Sequence, residues 1–181
     1  GVFRTIDECV DAARTAFLEF SKMGLRGRYQ IIASIRESML AHAIDLSRDA
    51  HEETGLGRVE DKIIKNRLVT NKTPGPEVLE SKAYSGDDGL TIMERAPFGV
   101  IAAITPTTNP TSTIICNTIG MVAAGNTVVF NVHPNAKRVS CRNVGLINEA
   151  IIRAGGPPNA VTAMADPTIA SAQQLMRHKG V

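Results

Sequence analysis

The sequence predicts an α/β fold, with several N-terminal helices followed by part of a parallel sheet flanked by helices. Three observations carry that prediction. The first 71 residues show apolar side chains at helical spacing. From Val100 onward, strand-like and helix-like runs alternate: strands near 100–105, 127–132 and 160–164, helices near 111–124, 136–154 and 168–179. Such alternation is the pattern of right-handed βαβ units on a parallel sheet. Finally, every residue from Val100 to Ile104 is β-branched or Ala, as in a strand covered on both faces.

Thr5-Ile6-Asp7-Glu8 has the form of a capping box, and Ile6, Val10, Ala13, Phe17 and Phe20 then follow on one helical face. Gly24 is expected to end this helix. A longer helix is expected over about 28–53, with Ile32, Ile35, Met39, Ala43, Leu46 and Ala50 as its stripe and Gly55 near its stop. A third should span about 58–71, ended by Thr73-Pro74-Gly75-Pro76. The stretch 74–89, rich in Gly, Pro, Ser and Asp, reads as a crossing loop, and 90–95 as a half-exposed strand. The expected division is therefore 1–75 helical, 76–96 crossing loop and strand, and 97–181 βαβ.

Composition bounds the function. A chain of 181 residues with 43% hydrophobic content can bury one domain-sized core, and no apolar run reaches membrane-spanning length. A net charge of +2 gives no argument for nucleic acid, and Lys62, Lys65 and Arg67 read as a solvated helix face. Cys9, Cys116 and Cys141 lack metal-type spacing, which suits reduced thiols in a cytosol-like compartment. No secretory signature opens the sequence. Because it starts without Met and ends on a helix stop followed by what reads as another strand, it is expected to be part of a longer chain.

The most informative segment runs from Glu94 to Thr111, where the apolar strand enters a polar turn held by Pro106 and Pro110. Both prolines fix φ and bias Thr105 and Asn109 away from helix, so Asn109 sits in a rigid loop just before the next helix. Its carboxamide can donate hydrogen bonds to a ligand, or it can simply serve the turn. Thr105, Pro106 and Thr107 lie at the strand's carboxyl edge, where they either meet a nucleotide or merely shape the loop. One βα unit later, Asn131, His133 and Pro134 are delivered to the same edge, the place where such sheets bind ligands. A lone loop histidine such as His133 more often bonds or packs than acts as a base.

These motifs resemble the aldehyde dehydrogenase superfamily. Its members carry a Pro-x-Gly-Val strand and an Ile-x-Pro-x-Asn-x-Pro-like turn, here Pro97 to Val100 and Ile104 to Pro110. The turn Thr105-Pro106-Thr107-Thr108-Asn109-Pro110-Thr111-Ser112-Thr113 lacks the Trp of the commoner branch and is similar to the CoA-acylating branch. Gly86-Asp87-Asp88-Gly89-Leu90-Thr91 and Asn131-Val132-His133-Pro134-Asn135-Ala136-Lys137 match that branch too.

The resemblance implies a Rossmann-like NAD-binding domain in which Asn109 is the catalytic oxyanion donor. It implies NAD as cofactor, coenzyme A as co-substrate, and a small aldehyde such as acetaldehyde or propionaldehyde as substrate. The complete enzyme would form a thiohemiacetal on a Cys lying beyond Val181, pass hydride to NAD and release a thioester to CoA. Thr105, Pro106, Thr107, Asn131, His133 and Pro134 become cofactor-binding candidates. A homo-oligomer joined near the 90–95 strand, and a cytoplasmic setting extending to a bacterial microcompartment and its shell, are implied in the same way. In the commoner enzymes a Lys-Pro pair grips the adenine ribose; Asn131-Val132-His133-Pro134 departs from it, favouring a pocket for either NAD or the adenine end of CoA. A non-acylating aldehyde dehydrogenase, or a non-catalytic nucleotide-binding or assembly module, stands as the alternative.

No cysteine in the sequence fits the nucleophile. Cys116, among Ile114, Ile115 and Ile119, reads as a core thiol; Cys141, early in a helix, could have its pKa lowered by the helix dipole; Cys9 reads as packing or surface. Gly155-Gly156-Pro157-Pro158 follows a helix and precedes a strand, the wrong order for a phosphate-binding turn.

Overall fold

A computed structural model describes residues 1–181. The chain forms β1 (Val2–Phe3), α1 (Ile6–Phe20), α2 (Leu25–Ala41), α3 (Ala43–Thr54) and α4 (Val59–Lys72). There follow β2 (Lys82–Gly86), β3 (Gly89–Met93), β4 (Val100–Ile104), α5 (Pro110–Ala123), β5 (Thr127–Asn131), α6 (Lys137–Arg153), β6 (Val161–Met164) and α7 (Ile169–Arg177). The main sheet has the order β1-β6-β5-β4, and all its pairings are parallel.

Alternation along the strands divides the interior. Val128 and Phe130 point into a large core built with Ile31, Ile35 and Met39 of α2, Ile114, Ile115 and Ile119 of α5, and Ile147 and Ile151 of α6. Val129, between them, points the opposite way, into a smaller cluster with Ile6, Cys9, Val10 and Ala13 of α1 and Leu175 of α7. A period of two thus buries β5 on both faces, and all five of its residues are buried. β4 fits the expectation of a doubly covered strand less well: it lies at the sheet's edge, and only Ala103 of its five residues is buried.

The helical expectations hold with two corrections. Thr5 caps α1 through the Glu8 N–H, and Glu8 returns to the Thr5 N–H at 3.0 Å. Ser21 rather than Gly24 ends α1, and Gly24, extended at φ −69° and ψ 173°, starts α2 instead. The expected single helix over 28–53 is two, broken at His42 with φ −95° and ψ 6°; its Nδ1 lies 2.8 Å from the Ser38 carbonyl. All six predicted stripe residues are buried. The stripe stays in phase across the break, so periodicity alone could not reveal it. Gly55 ends α3 in the left-handed region at φ 66°, as read.

The stretch read as a crossing loop holds a short 3-10 turn, Pro76–Leu79, and then strand β2, which pairs antiparallel with β3 across Asp87 and Asp88. Every residue of this hairpin is exposed, so the half-buried pattern expected for 90–95 is not realised here: Leu90 is 67% and Ile92 63% exposed. Residues 1–75 and 97–181 share one core, since α1 packs on β5 and β6, and α2 on α5 and α6. No helix is long and apolar enough to cross a membrane.

Candidate functional site

β4 and β5 run in parallel with Ile104 beside Asn131, so both strands finish at one edge. There a cleft of about 370 Å³ is lined by Ile104, Thr105, Asn131, Val132, His133 and Pro134, with Thr168, Ile169 and Ala172 opposite. Four of the six cofactor-binding candidates therefore meet in one cavity. Pro106, exposed, and Thr107, half-buried, lie in the turn and do not line it.

The cleft's polar groups differ in their freedom. Thr105 is 4% exposed, and its hydroxyl has no partner within the protein. Such a buried orphan is uncommon. Asn131 is committed: its Oδ1 accepts from Ser171 Oγ at 2.6 Å, and its Nδ2 faces the Thr168 carbonyl at 3.5 Å. His133 Nδ1 accepts from the Asn135 N–H at 3.1 Å, which places its proton on Nε2 when the ring is neutral. The volume falls near the lower end of ligand cavities, roughly 300–1,000 Å³.

The N-terminus of α6 is closed to a ligand by Glu53. Its carboxylate accepts from the backbone N–H groups of Arg138 at 2.9 Å and Val139 at 2.7 Å, and Arg138 pairs with it at 3.6 Å. Sequence reading missed this contact, which spans 85 residues for Arg138 and carries no local signature.

Asn109 lies on the far side of the same turn. It occupies the N-cap position of α5 at φ −135° and ψ 57°, yet its side chain makes no cap hydrogen bond. Instead Oδ1 accepts from Lys65 Nζ at 2.6 Å, and Nδ2 has only the Thr108 hydroxyl at 3.4 Å. The expectation of a solvated face at Lys62, Lys65 and Arg67 holds for the exposed Lys65 and Arg67 but fails at Lys62. Lys62 is 8% exposed and donates to the Thr108 carbonyl at 3.3 Å. Burial, and then the Lys65 charge, push its pKa below the usual lysine range. α4 is thus a scaffold for the turn.

The start of α5 is clamped from two sides. Thr111 Oγ1 donates to Asn66 Oδ1 at 3.0 Å, Asn66 Nδ2 donates to Ser47 Oγ at 3.0 Å, and Asn143 Nδ2 donates to the Thr111 carbonyl at 3.1 Å. All four residues are buried.

Two of the three thiols are poorly suited to nucleophilic attack. Cys9 is fully buried, and burial, with the nearby Glu8 charge, pushes its pKa to about 11. The Cys141 pKa is raised, not lowered: burial is the main cause, and the charges of Glu53 and Asp166 add to it. Cys116 is half-buried rather than fully buried, and lines a groove with Val78, Leu79 and Met121.

Residues 3–181, which include this βα edge and its Pro-framed Asn109, match the model of the aldehyde dehydrogenase family. The chain belongs to the aldehyde dehydrogenase family. It is 49% identical over 178 residues to an acetylating acetaldehyde dehydrogenase of Bilophila wadsworthia, covering 98% of this chain and 36% of that relative. A propionaldehyde dehydrogenase from the Clostridium phytofermentans fucose utilisation bacterial microcompartment superposes with a TM-score of 0.96 at 51% identity, over 100% of this chain and 42% of that one. The propionaldehyde dehydrogenase of Rhodopseudomonas palustris, in a structure with bound CoA, gives a TM-score of 0.97 at 48% identity, over 100% and 42%. This aldehyde dehydrogenase chain spans roughly two-fifths of the length of these relatives.

Proposed function

We propose that the full polypeptide containing these residues is a CoA-acylating aldehyde dehydrogenase, which oxidises a short-chain aldehyde with NAD and delivers the acyl group to coenzyme A. The observation that carries this reading is the state of Asn109. Its carbonyl oxygen is tied down while its amide N–H remains available, on a turn fixed by two prolines. When a thiolate adds to an aldehyde, the carbonyl oxygen becomes negative, and a neutral, preorganised donor stabilises that charge without ionising. Similarity across the whole chain to an acetylating acetaldehyde dehydrogenase and to propionaldehyde dehydrogenases, one of them with bound CoA, supports the acylating branch.

Residues at the sheet edge divide the remaining work. Thr105 would bound the cleft at the end of β4, while Ile104, Val132 and Ile169 would pack on the base. Asn131 would act through its backbone and its hold on α7, and His133 and Pro134 would shape the rim. Pro106 and Thr107 would approach the cofactor only from the turn outside the cleft. The cofactor, when bound, supplies the hydride acceptor; this part of the chain supplies binding, orientation and the oxyanion donor. The nucleophilic Cys would come from outside residues 1–181.

We further assign 1–75 and 97–181 to the cofactor-binding part and 76–96 to an arm. The exposed apolar side chains of Tyr84, Leu90 and Ile92 on that arm suit a homo-oligomer. Residence in a bacterial microcompartment is proposed from the Clostridium phytofermentans relative. The test is NADH formation by the full-length protein with propionaldehyde, with and without CoA. Turnover that requires CoA supports the reading; turnover indifferent to CoA favours a hydrolytic dehydrogenase.

A further inference from the structure

We propose that Lys65 is a positioning residue that sets the direction in which the Asn109 carboxamide points, an inference that rests on the oxyanion role given to Asn109 above. The two ends of a carboxamide have nearly the same shape and opposite chemistry, because one only accepts hydrogen bonds and the other only donates. Rotation by half a turn would aim an oxygen lone pair at a developing oxyanion and convert stabilisation into repulsion. Something must therefore distinguish the two orientations.

The usual device at this position is absent. Asn109 occupies an N-cap site, where an Asn oxygen ordinarily accepts from a backbone N–H of the helix, but here no such bond forms. Lys65 replaces it. A lysine ammonium has three donors and no acceptor, so at 2.6 Å it tolerates only the amide oxygen. With Oδ1 held there, Nδ2 is left with nothing but the Thr108 hydroxyl at 3.4 Å to occupy it.

The reach of Lys65 is itself fixed. Lys62, one turn earlier, is anchored on the Thr108 carbonyl, and Asn66, the next residue, is bonded to Ser47 and Thr111. α4 is thereby fastened to the turn on both sides of Lys65. Neither Lys62 nor Lys65 takes part in any of the ion pairs of the structure, so no carboxylate competes for the ammonium.

A double-mutant cycle on the full-length protein tests the assignment. Asn109→Ala should lower kcat by roughly 100- to 1,000-fold, the usual loss for one oxyanion donor. Lys65→Met should lower kcat about tenfold or more, leave KM for NAD unchanged, and cause no further loss in the Asn109→Ala background. Lys65→Arg, which keeps a pure donor, should restore most of kcat. A Lys65→Met loss that persists in full without Asn109 would overturn the proposal, since Lys65 would then act on the reacting charge directly or through general structure. Wild-type kcat in Lys65→Met beside an impaired Asn109→Ala would overturn the Lys65 role alone. Wild-type kcat in Asn109→Ala would overturn both that role and the reading on which it rests.

Discussion

Thr111 Oγ1 donates a 3.0 Å hydrogen bond to Asn66 Oδ1, joining the first turn of α5 to the middle of α4 inside the protein. Because Asn66 also donates to Ser47, one carboxamide holds three helices in register two residues from Asn109. Asn66→Ala would strand the buried Thr111 hydroxyl, whereas Ser47 Oγ keeps its 2.7 Å bond to the Ala43 carbonyl. Such an orphaned group costs about 1–3 kcal/mol, so unfolding in urea should show a loss of that size. A change below about 0.5 kcal/mol, the scatter of ordinary surface substitutions, would show that the clamp is dispensable.

Asn126 does the corresponding work at the other end of β4. Its Oδ1 accepts from the Phe98 N–H at 2.6 Å and the Gly99 N–H at 3.1 Å, and its Nδ2 donates to the Met121 carbonyl at 3.2 Å. Gly99 holds φ 129°, with nothing within 4 Å of where a Cβ would stand. The cost of Gly99→Ala is therefore conformational rather than steric, and should come to about 1–3 kcal/mol. A thermal scan showing an unchanged Tm would contradict that origin.

Cys9 gives stability an alkaline dependence. Its thiol is held to about 11 in the folded chain, against an ordinary value of 9.0. Between those values the unfolded chain has released a proton that the folded chain keeps, so stability falls as pH rises from 9 to 11. The fall is at most about 3 kcal/mol, from about 1.36 kcal/mol per pKa unit. Cys9→Ala should flatten the slope of unfolding free energy against pH in that window; an unaltered slope would refute the assignment.

Glu53→Ala should expose the cost of an uncapped α6. Two backbone N–H groups and Arg138 lose their partner together, and the helix loses a negative charge at its positive end. A destabilisation of about 1–2 kcal/mol is expected, the upper range for a lost cap. Hydrogen exchange at Arg138 and Val139 should accelerate in the variant, and unchanged protection there would argue against the cap.

Much of this was legible in the sequence, because local rules dominated. The capping box at Thr5 and Glu8, the Gly55 stop and the strand–helix alternation after Val100 each depend on residues within a few positions of one another. The edge residues Thr105, Asn131, His133 and Pro134 were legible because strand ends in a parallel sheet converge. What escaped was non-local or phase-neutral. The His42 break leaves the apolar stripe in phase, and the 74–89 composition suits a hairpin as well as a loop. Lys62 reads as solvated charge, and the contact of the exposed Lys65 goes unseen, because their partners, Thr108 and Asn109, lie more than forty residues away.

The most direct test of the central claim is the identity of the product. Full-length protein given propionaldehyde, NAD and CoA should form propionyl-CoA in a one-to-one ratio with NADH, resolved by chromatography and mass. Propionate accumulating with CoA unconsumed, or no NADH at all, would contradict the assignment of this edge to acyl-CoA formation.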